Sequence, residues 1–532
     1  MGRLIETRQN YFGKGISNFL RSKIFEFSRL VSNLDIYSDP TKMTPYRDFQ
    51  DDAITSLTLA ESKLCKFVAG PNSGATGTIQ YALGVVSGTT RAKIFSRSTA
   101  VSNWEATANG IDTTTGISEN LFVIYNGVLW GANGSNLWSY TISTDTLLTN
   151  AQALTYTQIF QGLVHSKDNV LYVPYISSSA SYIASKNGAG AWNVTALTLP
   201  SSMIPISISE DGNYLAVACK QRNIQSGPSV VFLWDRDSSL TTLSESINWG
   251  PESLEMIEEI DGTLVGVSVF ANTSSEAFTV TPKIIFKFYE SGFSRAHQFL
   301  EIPLTSSTVN ANQLPTVNLT GGVAITKQKI NNRILFNLSC EINNVQYDAI
   351  WAIARLPDGS FSISIDRLIN NGTALTANLV EPKGFIQFGD YVTTAFEDNG
   401  TYKATRTINA ATYTQTAFYE TLIFGEPFLK FKLTSVGVMT EPLPAAGQVV
   451  IKYKKDAETS FTTIFTHNTD DSLFHEAINI ESSGVILPEF RELSLRIEST
   501  GGAVITGYWA QAEHVPSGFV NRIIQSIRGF IG

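Results

Sequence analysis

The chain has 532 residues, which is too long for one ordinary hydrophobic core, so two or three domains are expected unless one large closed β architecture takes most of the length. Hydrophobic residues make up 43% of the sequence and charged residues only 16%, a composition that suits all-β proteins and proteins that bury much of their exterior in an assembly. The net charge of −9 argues against a nucleic-acid-binding face spread over the chain.

Cysteines and histidines are few and scattered. Cys65, Cys219 and Cys340 lie far apart, and no two of the five histidines have the spacing of metal ligands. We therefore expect no disulfide framework, no metal site and no cofactor. The early arginines are not followed by an apolar segment, and no stretch reaches the ~18 apolar residues of a membrane span. We expect no secretory signal, no membrane span, and synthesis in a host cytoplasm.

Residues 1–52 differ from the rest and are interpreted as an N-terminal arm, in which 16–31 could form a short helix. The first thirty residues are basic, with Arg3, Arg8, Lys14, Arg21, Lys23 and Arg29 against Glu6 and Glu26. The arm continues as "SNLDIYSDPTKMTPYRDFQDD" from Ser32 to Asp52, in which Pro40 and Pro45 favour an extended backbone. Its apolar content exceeds what a disordered linker needs, so we expect it to lie against a neighbouring subunit or against its own propeller rim.

From about residue 53 to 415 a pattern recurs in which two apolar strands flank a tight polar turn. The clear examples are "LFVIYNGVLWGA", "LVHSKDNVLYVPY", "ISISEDGNYLAVAC", "EMIEEIDGTLVGVSVF", "KQKINNRILFNLSC" and "GFIQFGDYVTTAF". Turns such as Asn126–Gly127, Asp211–Gly212 and Asp261–Gly262 have the chemistry of hairpin loops with positive φ. A repeat of roughly forty to seventy residues with one hairpin and one or two outer strands is typical of a propeller blade. We predict a β-propeller of six or seven blades, with seven favoured.

After residue 415 the pattern changes to long alternating strands such as "QVVIKYKK" and "LSLRIE". We predict a separate β-sandwich over 416–516. Residues 517–532 then place Ile523, Ile524 and Ile527 on one helical face, which predicts a short amphipathic helix. This helix either contacts a partner surface or folds back on the sandwich.

A search for catalytic motifs finds fragments. "SEDGNYL" resembles one Asp box, "FLWDRD" contains one Trp-Asp pair, and "HEAIN" lacks the second histidine of a zinc-protease helix. The neighbouring acids Glu258–Glu259 and Asp235/Asp237 are better explained as surface turn residues than as a converging catalytic pair. Trp192 and Trp249 lie in predicted loops and are the two aromatic residues considered for a ligand face. We expect no catalytic residue and no enzymatic activity.

The order of the segments carries a resemblance. The stretch "LDIYSDPTKMTPYRDFQDD", the propeller-like repeats, and "VVIKYKKDAETSFTTIF" with "FRELSLRIEST" resemble virion structural proteins of tailed bacteriophages. The plan is similar to that of the tail nozzle, or tail tubular protein B, of short-tailed phages, a family that builds rings of propeller-bearing subunits. The resemblance implies a non-enzymatic tail subunit of the virion. It covers the segment order and short motifs, and this chain is shorter than the nozzle proteins of well-known phages.

The resemblance implies a homo-oligomeric ring that contacts a tail adaptor, fibre or portal-proximal protein, with no small-molecule substrate and with DNA present only through passage along a channel. The alternatives are a glycan-binding or glycan-cleaving propeller at a tail tip or fibre, a head-surface protein, and a bacterial cytoplasmic scaffold. The predicted assembly contacts are Phe19, Phe25, Ile36, Tyr37, Pro40, Pro45, Tyr46, Ile523, Ile524 and Ile527.

Overall fold

The computed structural model shows an all-β protein whose strands form many small antiparallel sheets. It describes residues 4–9, 16, 28–39, 41–52, 62–71, 78–86, 92–107, 117–222, 228–239, 243–270, 283–303, 325–342, 345–369, 381–398, 401–408, 411–413, 415–425, 428–468, 473–478 and 487–515. The predicted C-terminal helix at 517–532 lies outside these residues. None of the described residues belongs to a helix long and apolar enough to cross a membrane.

The chain divides into two compact units, described here one at a time. The first comprises residues 1–48, 351–368 and 410–532, and the second comprises residues 49–350 and 369–409. This division differs from the expected arm, propeller and sandwich, because the segment up to Asp48 groups with the sandwich and the segment from Phe49 groups with the propeller.

The second unit contains the propeller, and each set of strands in chain order is called a blade. Blade 1 is β6 (Ser62–Pro71), β7 (Thr78–Val86), β8 (Ala92–Arg97) and β9 (Glu105–Ala106). Blade 2 is β10 (Ile117–Tyr125), β11 (Val128–Asn133), β12 (Asn136–Thr141) and β13 (Thr146–Ala153), with a 3-10 turn at Ile142–Thr144. Blade 3 is β14 (Gln158–Ile159), β15 (Leu163–His165), β16 (Val170–Ile176), β17 (Ser181–Asn187) and β18 (Trp192–Leu199).

Blades 4 and 5 have the same four-stranded order. Blade 4 is β19 (Met203–Asp211), β20 (Tyr214–Gln221), β21 (Ser229–Trp234) and β22 (Glu245–Gly250). Blade 5 is β23 (Ser253–Ile260), β24 (Thr263–Phe270), β25 (Lys283–Tyr289) and β26 (His297–Pro303).

Blades 6 and 7 complete the ring. Blade 6 begins with β27 (Lys327–Ile330) and β28 (Arg333–Ile342) and continues into β29 (Val345–Arg355), within which the unit boundary falls. Blade 7 is β31 (Glu381–Phe388), β32 (Tyr391–Asp398), β33 (Thr401–Thr407) and, from the other end of the sequence, β5 (Phe49–Asp51).

The innermost strands show that the ring is closed. Strand β6 contacts β10, β10 contacts β14, β15 contacts β19, β19 contacts β23, β23 contacts β28, β27 contacts β31, and β31 returns to β6. The predicted propeller is confirmed, and the described residues form seven blades. The turns at Asn126–Gly127 and Asp261–Gly262 each join the first strand of a blade to the second, as predicted. In blade 4 the turn is Gly212–Asn213, one residue later than predicted, because Asp211 still pairs with Tyr214.

Glycines on second strands admit aromatic rings into the blade cores. A Cβ built on Gly131 would lie 2.0 Å from the ring of Trp138, which is fully buried. We predict that Gly131→Ala lowers the free energy of unfolding by about 1–3 kcal/mol, because the added methyl group overpacks this core. Urea denaturation would measure the loss. Gly190→Ala is the matched control, since its Cβ would approach only the Asn187 carbonyl oxygen, at 3.1 Å. Equal stability of both variants would contradict the prediction.

Buried tyrosines predict a loss of stability at high pH. Burial raises the pKa of Tyr81 to about 12 and that of Tyr175 to about 12, and their hydroxyls donate to the carbonyls of Pro71 and Val194. The unfolded chain ionises near pH 10. Since the unfolded state releases these protons first, the free energy of unfolding should fall as pH rises from 10 to 12. Urea denaturation across this range should show a shallower fall for Tyr175→Phe; an identical slope would contradict the assignment.

The first unit contains the sandwich, which is confirmed as an all-β domain built from two sheets. One sheet has the order β1 (Leu4–Gln9), β42 (Ile505–His514), β36 (Phe431–Thr440) and β39 (Phe474–Ile478), with β40 (Glu489–Phe490) beside β36. The other runs from β30 (Phe361–Leu368) through β2 (Ser28–Ser32), β34 (Ala417–Thr421), β41 (Glu492–Thr500) and β37 (Gln448–Lys455) to β38 (Thr462–His467), with β35 (Phe424–Gly425) beside β41.

The opening segment is part of this sandwich. Strand β2 pairs with β34, and its residues Ser28–Ser32 are strand where the sequence allowed a helix; residues 17–27 lie outside the described part. A short hairpin follows, formed by β3 (Leu34–Asp35) and β4 (Thr44–Pro45). Leu34, Ile36 and Met43 are fully buried in the sandwich core.

Candidate functional site: the propeller axis and the ring-closing strand

The propeller encloses a cavity of about 330 Å³ near its axis. Its lining comes from the innermost strands of five blades and from the residues beside them: Lys66, Phe67, Val68, Ala69, Phe122, Val123, Gln161, Ile325, Thr326, Lys327, Gln328, Phe385 and Ile386. The volume lies at the lower end of the range for small-molecule pockets, about 300–1,000 Å³. A mostly apolar wall with a few polar groups is also what such pockets have, so this cavity is the first place to look for chemistry.

Every polar side chain of the cavity wall is hydrogen-bonded to a different blade. The ammonium of Lys66 in blade 1 donates to Thr326 Oγ1 at the start of blade 6, at 2.6 Å, and Thr326 donates to the Lys383 carbonyl of blade 7 at 3.1 Å. Gln161 Nε2 of blade 3 donates to the Phe122 carbonyl of blade 2 at 3.1 Å. These bonds hold blades together, including blades 1 and 6, which blade 7 separates.

Blades 6 and 7 are joined by a reciprocal amide pair. Gln328 Nε2 donates to the Gln387 carbonyl at 3.0 Å, and the Gln387 backbone N–H donates to Gln328 Oε1 at 2.8 Å. The side-chain amide of Gln328 therefore continues the backbone hydrogen-bonding pattern across the blade boundary and satisfies groups that would be costly to bury unpaired.

Lys327 joins three blades. From blade 6, its Nζ donates to the Ile208 carbonyl of blade 4 at 2.7 Å and to the Ile257 carbonyl of blade 5, and it lies 2.7 Å from Glu258 Oε2. Ser209 Oγ donates to the other Glu258 oxygen at 3.0 Å. Because carbonyls and a carboxylate surround this ammonium, its charge is compensated within the ring.

The acidic pairs noted in the sequence do not converge across a cleft. Glu258 is engaged by Lys327, while Glu259 pairs with Lys329 at 2.7 Å. Asp235 and Asp237 accept hydrogen bonds from the local turn. Within the described part of the chain, the cavity wall contains no Asp or Glu, and no group of three potential metal-ligating side chains is found.

A second polar cluster lies where β5 closes the ring. Asp52 follows β5 directly and is completely buried. Its two carboxylate oxygens accept hydrogen bonds from Arg97 Nη1 at 3.1 and 3.0 Å, and one also accepts from Trp104 Nε1 at 2.7 Å. Arg406 Nε lies 3.3 Å from Asp52 Oδ1. The carboxylate thus connects blade 1, through Arg97 and Trp104, to blade 7, through Arg406.

The ring-closing cluster is tightly packed, and burial shifts the pKa values of its charged groups. The Arg97 guanidinium lies 4.1 Å from the centre of the Trp104 ring and donates further hydrogen bonds to Gln80 and Thr393. Burial raises the pKa of Asp52, although the neighbouring guanidiniums of Arg97 and Arg406 oppose the rise. Burial likewise lowers the pKa of Arg97 to about 10. The Arg97 guanidinium stays charged at neutral pH, so removal of the Asp52 carboxylate would leave it buried without its partner.

Sequence reasoning did not identify this cluster. Asp52 stands at the end of the quoted arm segment, but its partners lie 45 to 354 positions away and follow no local spacing. The available signal was Asp51–Asp52 shortly after the apolar Phe49, which by itself indicates only a turn.

The predicted assembly contacts fall into two groups. Phe19, Phe25, Pro40, Ile523, Ile524 and Ile527 lie outside the described residues. The others lie on the sandwich unit: Ile36 is fully buried, Pro45 pairs with Leu34 in the hairpin, and Tyr46 donates to Asp366 at 2.9 Å. Tyr37, partly buried, accepts a hydrogen bond from Ser362 at 3.0 Å. Ile36 therefore has no exposed surface for another chain.

Asp39 and Thr41, in the segment that carries the resemblance, form a turn between β3 and β4. Thr41 donates through its N–H and its hydroxyl to Asp39 Oδ1, and these bonds hold the pKa of Asp39 below its ordinary value. Lys42 pairs with Glu441, and the backbone of Met43 bridges Ile505. The Asp-Pro-x-Lys-x-Thr-Pro pattern thus attaches the opening segment to the sandwich.

Both tryptophans considered for a ligand face pack against other side chains of the propeller. Trp249 is 1% exposed and packs in a core cluster of the propeller. Trp192 is half-buried and meets Trp130 edge-on, with ring centres 5.1 Å apart. Both residues lie in strands, β22 and β18, where the sequence suggested loops.

Comparisons with known proteins find similarity among solved structures. No protein-family model matches the chain, and no curated protein sequence matches it. Among solved structures, it is similar to a glycoside hydrolase (10% identity, TM-score 0.30, covering 87% of this chain and 99% of that one). It is also similar to the Dos1 propeller (9%, 0.36, 72% and 93%) and to the AfRom2 CNH domain (11%, 0.37, 68% and 98%). At these TM-scores the similarities carry no argument about function.

Proposed function

We propose that the chain is a non-enzymatic structural subunit of a bacteriophage virion, nozzle- or hub-like in the tail, which assembles as a homo-oligomeric ring. The resemblance of the opening segment and of the sandwich strands to phage tail proteins supports this proposal. The proposal that the subunit is not an enzyme rests on the cavity wall, where each polar side chain is hydrogen-bonded to another blade. Groups committed to holding the scaffold together are poorly placed to bind and transform a substrate.

A glycan-cleaving propeller would require different chemistry at its axis. Glycoside hydrolysis ordinarily uses two carboxyl groups that face each other about 5–9.5 Å apart across the scissile bond. The described wall of the cavity offers ammonium and amide groups instead. The cavity is also too small for nucleic acid, so passage of DNA would run between the subunits of a ring and not along the axis of one propeller.

We expect the purified protein to show no turnover of sialosides, bacterial polysaccharides or peptidoglycan. Release of reducing sugar and mass spectrometry of the products would measure this. Turnover that disappears in Glu258→Gln and persists in Glu441→Gln, an exposed control, would overturn the non-enzymatic proposal.

The structural role itself is tested on particles. Mass spectrometry of purified virions of the phage that carries this gene should find the chain at a fixed copy number per particle, and antibodies against it should label the tail. Absence of the chain from intact particles would refute the virion role. Labelling of the head or of fibres would refute the tail assignment.

A further inference from the structure

Three Asn-Gly pairs lie among the described residues, each at the end of a strand in blade 2 or blade 3. They are Asn126–Gly127, Asn133–Gly134 and Asn187–Gly188, and their glycines have positive φ values of 74°, 61° and 51°. An Asn side chain followed by glycine can close a ring with the next peptide nitrogen, because glycine has no Cβ to hinder the approach. The surroundings of each pair decide whether this reaction can occur in the folded protein.

Asn126–Gly127 is the pair whose reacting groups are accessible. The Asn126 side chain is exposed, and a Cβ built on Gly127 would meet no atom within 4 Å. The Gly127 N–H donates to no other described residue, so its nitrogen is available as a nucleophile. Asn169 Nδ2 donates to Asn126 Oδ1 at 3.5 Å, a long and weak contact that leaves the side chain able to rotate.

Asn133–Gly134 is protected by burial. The Asn133 side chain is 4% exposed, and its Nδ2 donates to the Thr149 carbonyl of β13 at 3.3 Å. The amide that would have to leave is therefore held in place. Water, which must carry the proton and later open the ring, has little access to this buried group.

Asn187–Gly188 is protected by a tyrosine. Asn187 is exposed, as Asn126 is, and a Cβ built on Gly188 would also meet no atom within 4 Å. The Gly188 N–H, however, donates to the Tyr125 hydroxyl at 2.6 Å, and this buried tyrosine in turn donates to the Asn169 carbonyl at 2.7 Å. The nitrogen that would attack Asn187 is thus engaged with a fixed partner.

We propose that Asn126 is a site of spontaneous covalent modification in the folded protein, whereas Asn133 and Asn187 are protected. The Gly127 nitrogen bonds to Asn126 Cγ, and its proton passes through solvent to the side-chain nitrogen, which leaves as ammonia. One water molecule then opens the cyclic imide at either carbonyl, which gives aspartate or isoaspartate at this position. The net change is uptake of one water and loss of one ammonia, without oxidation or reduction.

The products alter the contact between blades 2 and 3. Either product places a carboxylate where the Asn169 amide now meets a neutral side chain. Isoaspartate also inserts an extra backbone atom between Tyr125 and Val128, which pair directly across the two-residue turn. Because this turn requires the φ values that Asn126 and Gly127 adopt, the extra atom should loosen the adjoining ends of β10 and β11. This modification does not depend on a role in the virion.

The test compares the three pairs in the same full-length protein. Folded and urea-unfolded samples are incubated in warm, mildly alkaline buffer and digested at acid pH, and the peptides are analysed by mass spectrometry with fragmentation that separates aspartate from isoaspartate. In the folded protein Asn126 should convert while Asn133 and Asn187 stay intact, and in the unfolded chain all three should convert at similar rates. Conversion of Asn187 as fast as Asn126 in the folded protein, or of Asn126 only after unfolding, would overturn the proposal.

Tyr125→Phe tests the protection of Asn187 directly. It removes the hydroxyl that holds the Gly188 N–H, so Asn187 should begin to convert in the folded variant. Tyr140→Phe is the matched control, because the hydroxyl of this buried tyrosine donates to Asp145 instead, and Asn187 should stay intact. Circular dichroism checks that both variants are folded. An intact Asn187 in folded Tyr125→Phe would refute the protective role of the hydroxyl, and if that variant does not fold, the comparison of folded and unfolded wild-type protein decides the proposal.

Discussion

Deletion of residues 1–52 is expected to prevent folding of both units. The opening segment supplies β1, β2 and the β3–β4 hairpin to the sandwich, and β5 and Asp52 to the propeller. Without β5, the hydrogen-bonding edge of β33 in blade 7 loses its partner, and Arg97 and Arg406 lose their shared carboxylate.

The size of the effect follows from the buried side chains. Leu30, Val31, Leu34, Ile36, Met43, Tyr46 and Phe49 are all less than 9% exposed. At about 1.5–3 kcal/mol for each large apolar side chain, their loss removes roughly 10–20 kcal/mol. The whole stability of a domain is about 5–15 kcal/mol, so the truncated chain should not retain a cooperative fold. The sequence had suggested an arm that either domain could lose, and the strand pairing of the segment contradicts that interpretation.

Circular dichroism and urea denaturation of the truncated chain would measure the result. Deletion of residues 1–9 alone is the matched control, because it removes only the edge strand β1 and should leave both cooperative transitions in place. A truncated 53–532 chain that unfolds cooperatively at the same urea concentration as the full chain would show that neither unit depends on the segment.

Asp52→Ala is expected to lower the free energy of unfolding of the propeller by about 3–5 kcal/mol, because it leaves Arg97 and Arg406 buried without their counter-charge. Thermal or urea unfolding monitored by tryptophan fluorescence would report it directly, since Trp104 donates to Asp52. Arg97→Met in the same chain should recover part of the loss, because one of the two uncompensated charges is then removed.

Glu441→Gln is the control for this substitution. It breaks the exposed pair between Lys42 and Glu441, and exposed pairs contribute little to stability because water screens them. If Asp52→Ala were no more destabilising than Glu441→Gln, the cluster would not be what closes the ring.

The blades were predictable because their signals are local. Asn126 and Gly127 have φ of 50° and 74°, the positive values that two-residue hairpin turns require. Asn and Gly are the residue types that adopt such values most readily, so the turn can be predicted from the sequence. The alternation of apolar residues predicted the flanking strands, and the repetition of the hairpin unit predicted the propeller ring.

The attachment of the opening segment was not predictable, because it depends on distant partners. Strand β5 has three residues and pairs with β33 through Asp51 and Thr405, with more than 350 residues between them. The sequence of neither strand indicates that it pairs with the other. The same holds for Asp52, which resembles any polar turn residue until Arg97 and Arg406 are placed beside it in three dimensions.

The pairing of β5 with β33 also sets an order of events during synthesis. The ribosome makes β5 near the start, but β33 follows roughly 350 residues later, a delay of about 20–70 s at the ~5–20 residues per second of translation. During that interval the partners of β2 and β5 have not been made, so Leu30, Val31 and Phe49 stay exposed on the nascent chain. The propeller can therefore close only late in synthesis, after its last blade has been made.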